Sequence, residues 1–233
     1  MKRMGRQNTI GIGALMKIFL LLTAGAFLFG VSGCATKPET NTPPPPMPKA
    51  EGLARAGKFR TVAIADLDND GYLDVVGGAS SPGLVTINYG DGRGGLSQPQ
   101  HLAVKGEVRS VAVADINEDG LPDIVFSVQK PSAGIQVWIN QTMRRWKSGM
   151  GPVGINSYEG IKSADDNDDG HMDIIAGNTT SATRGGIQVW LGDVTGNWPK
   201  ETGPSVSGIY LDVLPVDLNH DGHLDLIGAG WGT

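Results

Sequence analysis

The sequence predicts an all-β protein organised as a β-propeller, and three observations predict it. A unit of about 50 residues recurs, with first acids at Asp66, Asp115, Asp165 and Asp217, separated by 49, 50 and 52 residues. Periods of this length point to arrays and propellers. Within each unit valine and isoleucine sit at alternate positions, the spacing of a half-buried strand. Glycine is abundant (35 residues) and aromatics make up only 6% of the chain, which suits turn-rich β structure better than helices.

The first element is not part of that fold. Lys2, Arg3, Arg6 and Lys17 precede the apolar run "IFLLLTAGAFLF", the basic and hydrophobic regions of a secretory signal spanning 1–33. A membrane-spanning helix needs roughly 20 apolar residues, and this run is shorter. It leads to "VSGC", where Cys34 is the only cysteine. The stretch resembles the bacterial lipobox, which implies cleavage before Cys34, lipidation of that residue and an envelope location. Ala35, rather than aspartate, next to the cysteine implies the outer membrane. Residues 34–50 follow, with Pro43 to Pro46 consecutive, a semi-rigid polyproline spacer.

The repeat region occupies 51–233. "TVAIAD" and "SVAVAD" alternate as first strands, and "LDVVGGA" and "MDIIAGN" supply β-branched second strands. "GLVTINYGDG", "GIQVWINQ" and "GIQVWLGD" begin 17, 19 and 21 residues after the first acid of their units and read as third strands. Extended stretches such as "QPQHLAV" close each unit. Four short antiparallel strands make one propeller blade. The last unit stops in "LDLIGAGWGT" before its third strand, so the expectation is three full blades, the first half of a fourth and an incomplete ring. Self-association through the open blade edge follows as an expectation.

Charge is concentrated where the blades turn. Sixteen of the 24 acidic residues lie within 66–74, 115–123, 165–173 and 217–225, leaving 8 acids against 19 Lys and Arg elsewhere. No clustered basic face marks a nucleic-acid footprint, so no nucleic acid is expected as a partner.

The units "ADLDNDGYLD", "ADINEDGLPD", "ADDNDDGHMD" and "VDLNHDGHLD" share the pattern D-x-[DN]-x-D-G-x-x-D. This resembles the FG-GAP and VCBS-type repeat of integrin α-subunit propellers and bacterial surface proteins, over residues 58 to 233. The resemblance implies that each loop joins the first two strands of a blade and binds calcium. The residues suit that ion, which takes six to eight oxygen ligands. Loop 1 offers Asp66, Asp68, Asp70, the carbonyl of Tyr72, and Asp74. Loop 2 offers Asp115, Asn117, Asp119, the carbonyl of Leu121, and Asp123. Loop 3 offers Asp165, Asn167, Asp169, the carbonyl of His171, and Asp173. Loop 4 offers Asp217, Asn219, Asp221, the carbonyl of His223, and Asp225. Glycine at position 6 permits the sharp turn. With four carboxylates against three, loop 1 is expected to bind most tightly.

Two other readings compete with calcium-binding repeats. An EF-hand needs glutamate at position 12, where Gly77, Phe126, Ala176 and Gly228 stand. Metal-free acidic turns would favour Asp and Asn, but turn formation alone does not call for an acid at position 9. No catalytic constellation is recognisable: there is no nucleophile elbow, phosphate-cradling loop or reactive cysteine. His171 and His223 are expected to point to solvent, and Trp138 and Trp190 to pack between blades. "GDGRGG" near Asp91 reads as a hairpin turn. The function expected is non-enzymatic: a calcium-binding, lipid-anchored adhesion or scaffold module for a protein or glycan ligand. The alternative is a carbohydrate-active enzyme of polysaccharide-lyase type, or its accessory propeller. The eight remaining acids, scattered through the chain, weaken it.

Overall fold

The computed structural model describes residues 57–231, apart from 132, 150, 153–155, 184, 194 and 202. The signal segment, Cys34 and the proline spacer lie outside the described residues. Every element described is a strand, and the strands form four antiparallel sheets in chain order. Sheet I contains β1 (Phe59–Ala65), β2 (Asp74–Ser80), β3 (Gly83–Asn88) and β4 (Gln100–Ala103). Sheet II contains β5 (Gly106–Ala114), β6 (Asp123–Pro131), β7 (Gly134–Gln141) and β8 (Arg145–Gly149). Sheet III contains β9 (Tyr158–Ala164), β10 (Asp173–Asn178), β11 (Gly186–Trp190) and β12 (Lys200–Glu201). Sheet IV has two strands, β13 (Ile209–Val216) and β14 (Asp225–Trp231). Three four-stranded blades and a two-stranded one therefore stand side by side, and no ring closes among the described residues.

The strands fall where the alternation places them, including the third strands that begin at Gly83, Gly134 and Gly186. Phe59 and Arg60 belong to β1, the first strand of sheet I. Each first strand pairs with its second through a register shift, between Phe59 and Thr61 in sheet I and between Val108 and Ser110 in sheet II. Such bulges bend the strand and sharpen its twist.

The core lies between blades. Val76 and Val85 of sheet I share one cluster with Val108, Val111 and Phe126 of sheet II. Ala114, Val125 and Val137 of sheet II share the next with Tyr158, Ile161 and Trp190 of sheet III. Ile175 and Ile187 of sheet III share the third with Val213 of sheet IV. Both predicted tryptophans serve this packing: Trp190 is buried edge-on against Tyr158 at 5.0 Å, and the half-buried Trp138 rests on the first cluster. A blade buries its faces only against its neighbours, so stability accrues junction by junction.

Candidate metal centres

All four acidic loops join the first two strands of their sheets and adopt one conformation. Position 4 of each (Asn69, Glu118, Asp168, His220) is left-handed, with φ of 57°, 58°, 61° and 59°. Gly71, Gly120, Gly170 and Gly222 follow with φ near 90°, which glycine adopts without cost. The first aspartate holds this turn from inside. One oxygen of Asp66, Asp115, Asp165 and Asp217 accepts the position 5 amide, and the other accepts the glycine amide at 2.8 to 3.0 Å. Position 7 joins through its main chain, since the amides of Tyr72, Leu121, His171 and His223 donate to the carboxylates of Asp70, Asp119, Asp169 and Asp221.

The acid at position 9 has a task that needs no metal. One oxygen of Asp74, Asp123 and Asp173 accepts the amide of position 2 (Leu67, Ile116, Asp166). The other accepts an amide at or just beyond the end of the third strand: Gly90 at 2.8 Å, Asn140 at 2.7 Å and Gly192 at 2.8 Å. These three carboxylates are fully buried, and burial raises all three pKa values, that of Asp123 to about 6. The expectation that turns alone give position 9 no reason to be acidic is therefore corrected: the residue staples loop, second strand and third strand together. In loop 4 the Asp225 carboxylate accepts, among the described residues, the position 2 amide of Leu218 alone, and it is half-exposed.

Position 3 separates loop 1 from the others. Asn117, Asn167 and Asn219 each accept the position 5 amide and donate to the position 5 carboxylate, so these loops are internally satisfied. Asp68 cannot donate. Its Oδ2 takes Nε and Nη2 of Arg144, both at 2.7 Å, while its Oδ1 is buried with no hydrogen-bond partner. One oxygen each of Asp66, Asp68 and Asp74 lie within 4.8 Å of one another. A buried, orphaned anionic oxygen among converging carboxylates fits a hard divalent cation. Among the described residues loop 1 is where three acidic side chains converge this closely. Asp70 stays outside that group, turned to the Tyr72 amide.

Contacts between loops were not foreseen. The Asn69 side chain donates to the Gly120 carbonyl, His171 pairs with Glu118, and His223 pairs with Asp168. The two rings are solvent-accessible, yet each is tied to the acid at position 4 of the preceding loop, which raises both histidine pKa values. Arg144, 76 residues from Asp68, was also missed; it lies in the turn between β7 and β8 and stacks on Tyr89 at 4.0 Å. Asn140 did leave a signal, because the corresponding positions in sheets I and III are glycines. Its buried side chain donates to the carbonyls of Leu67 and Pro122, joining loop 1 to loop 2.

The model of a family described as an FG-GAP-like repeat matches residues 66–126 and 165–228, each match starting on the first aspartate of a loop. No curated protein gives a significant match to the chain.

Proposed function

Because the chain belongs to the FG-GAP-like repeat family, we propose that its four loops bind calcium and that the propeller is a non-enzymatic binding module. In this reading a lipid on Cys34 holds it at the bacterial cell envelope, and the proline spacer sets it off the membrane surface. The blades then present a face to a protein or glycan in an adhesion or scaffold role. One observation carries the metal reading: the buried, unpartnered Oδ1 of Asp68 beside Asp66 and Asp74.

Loop 1 would hold the ion with Asp66, Asp68, Asp70, Asp74 and the Tyr72 carbonyl, and loops 2 to 4 with the corresponding residues. Bound calcium supplies charge neutralisation and fixed oxygen geometry. The chain's own part is preorganisation. The first aspartate is oriented by two amides, position 9 is anchored in the sheet, and glycine sets the turn. Titration of metal-free protein followed by calorimetry tests the reading. Saturable calcium uptake with a rise in melting midpoint is expected, and absence of both would refute it. For the anchor, Cys34→Ser should release the protein from the membrane fraction. A variant that stays there at an unchanged mature size argues against lipidation.

A further inference from the structure

Two successive blade junctions share one strand register, yet the first is packed shut and the second holds a cleft. Between sheets I and II the plug is Tyr89. Its hydroxyl donates to Gln100 Oε1 at 3.0 Å and accepts from Trp146 Nε1 at 3.3 Å, while Arg144 stacks on its ring at 4.0 Å. The Arg144 carbonyl in turn accepts from Nε2 of Gln100 at 3.0 Å. Between sheets II and III the register puts Ile139 in the place of Tyr89 and Gly149 in the place of Gln100. In the turn between β11 and β12, Trp198 stands where Trp146 does, and Gly196 where Arg144 does. The tryptophan is kept, and the tyrosine, glutamine and arginine that close the first junction give way to smaller residues.

The result is a pair of recesses, about 460 Å³ and about 450 Å³, that meet at Thr195, Gly196 and Trp198. Each falls within the roughly 300 to 1,000 Å³ of small-molecule sites. Trp198 is half-buried and rooted on the core cluster shared by sheets II and III. Its turn is held rigid by Asp193, whose carboxylate accepts the amides of Thr195 and Asn197. An exposed amide side chain lines each recess, Gln141 in one and Asn197 in the other. So does an exposed lysine, Lys147 in one and Lys200 in the other. Among the described residues neither lysine enters an ion pair, and no acidic side chain lines either recess.

We infer that this cleft binds an acidic oligosaccharide, with one sugar against Trp198 and carboxylates directed to Lys147 and Lys200. The aromatic ring gives an apolar surface for the C–H face of a pyranose, and the two amides give hydrogen bonds to hydroxyls. The lysines, with no acid beside them, supply the charge that a uronate needs. The inference rests on the reading of the propeller as a non-enzymatic binding module, and it names the ligand class and the place where it binds.

The test is equilibrium dialysis of the full-length protein, solubilised in mild detergent, against tetragalacturonate at fixed free calcium. Its fully methyl-esterified form, which keeps the rings and loses the charge, is measured beside it. Wild type is expected to bind the acid form about tenfold more tightly than the ester. Lys147→Gln combined with Lys200→Gln should abolish that preference, and both lysines are exposed, so the fold persists. Trp198→Ala should weaken both forms by at least about tenfold. Trp198→Phe keeps an aromatic surface and should retain most of the binding, which separates lost stacking from lost packing. The inference is overturned by a wild type that binds neither form or binds both alike, or by Trp198→Ala binding as wild type does. A preference that survives the lysine changes, as contact through a loop ion would produce, overturns it too. Calcium uptake measured in the same samples tests the metal reading separately: a protein that takes up calcium and binds neither sugar refutes the cleft alone.

Discussion

Loop 1 and loop 2 share a backbone conformation and differ in how they settle their charge. In loop 2 the amide of Asn117 bridges within the loop, and every polar group at position 3 is satisfied locally. In loop 1 Asp68 has only acceptors, so one oxygen takes a guanidinium from the next blade and the other is left without a partner. A single change from amide to carboxylate turns a self-sufficient turn into one that requires an external cation. Arg144 meets part of that requirement, and a divalent ion would meet the rest. The carboxylate at position 3 therefore gives loop 1 both a fourth acid at the candidate ligand positions and a built-in competitor.

Removing calcium is expected to have the largest effect and to fall most heavily on loop 1. A ligand present at one- to tenfold its Kd stabilises by about 0.4 to 1.4 kcal/mol per site. Four sites then contribute roughly 2 to 6 kcal/mol, against a typical total of about 5 to 15. Thermal melts with and without chelator measure it, and an unchanged midpoint would argue against occupied sites.

Next in size is the position 9 staple, which separates covered loops from the open one. Asp123→Ala strands two buried amides, those of Ile116 and Asn140, and is expected to cost about 2 to 4 kcal/mol. Asp225→Ala removes one acceptor at a half-exposed site and should cost about 1 kcal/mol or less. Equal losses in urea melts would contradict the assignment.

Asp123 also gives the comparison a pH dependence. Burial raises its pKa from 3.8 to about 6, so the metal-free fold favours the protonated acid. Its contribution is complete below pH 3.8 and is lost as pH rises towards 6, by at most roughly 3 kcal/mol. In chelator, the midpoint difference between wild type and Asp123→Asn should therefore shrink across that window. With saturating calcium the carboxylate is the favoured form, and the same difference should grow. A slope of the same sign in both conditions would sink this reading.

A smaller effect addresses Arg144. Arg144→Gln removes the competitor of loop 1 and should tighten its calcium affinity by about fivefold, roughly 1 kcal/mol, with loop 2 unaffected. Weaker binding would mean that the guanidinium orients Asp68 rather than competing. The smallest effect is at His171. Its pKa is raised by Glu118, so the clasp operates below the folded-state pKa and fades as pH rises through it. His171→Ala should lower the melting midpoint slightly at pH 6 and leave it unchanged at pH 8.

Much of this was legible because it is local. The alternation in "TVAIA" and the β-branched pairs after each loop place the strands, and the repeat spacing places the loops. What escaped depends on which blade lies beside which. Arg144 reaches Asp68 across 76 residues, and nothing in "QTMRRW" marks one arginine as a partner for a distant acid. Val62 and Val111 read identically in sequence, yet one is exposed and the other buried, because burial here is conferred by a neighbour and not by the strand's own pattern. The position 9 acid is legible as a ligand but not as a staple, since its partner at the end of the third strand lies 16 to 19 residues downstream.

The junction between sheets III and IV differs from the first two, where the Val111 amide donates to Thr61 Oγ1 and the Ile161 amide to Ser110 Oγ. Gly160 replaces the hydroxyl of Thr61 and Ser110, and a Cβ there would lie 2.4 Å from the Asp212 Cα. The Val213 amide turns instead to the carboxylate of Asp212, which also receives Lys162 Nζ at 3.0 Å. Gly160, Lys162 and Asp212 form a matched set divided between two blades. A blade copied into the gap after sheet III would confront Gly160 with a partner lacking Asp212, and a side chain at residue 160 would collide with sheet IV. The third and fourth blades are thereby keyed to each other by three residues, and exchanging either alone breaks the fit.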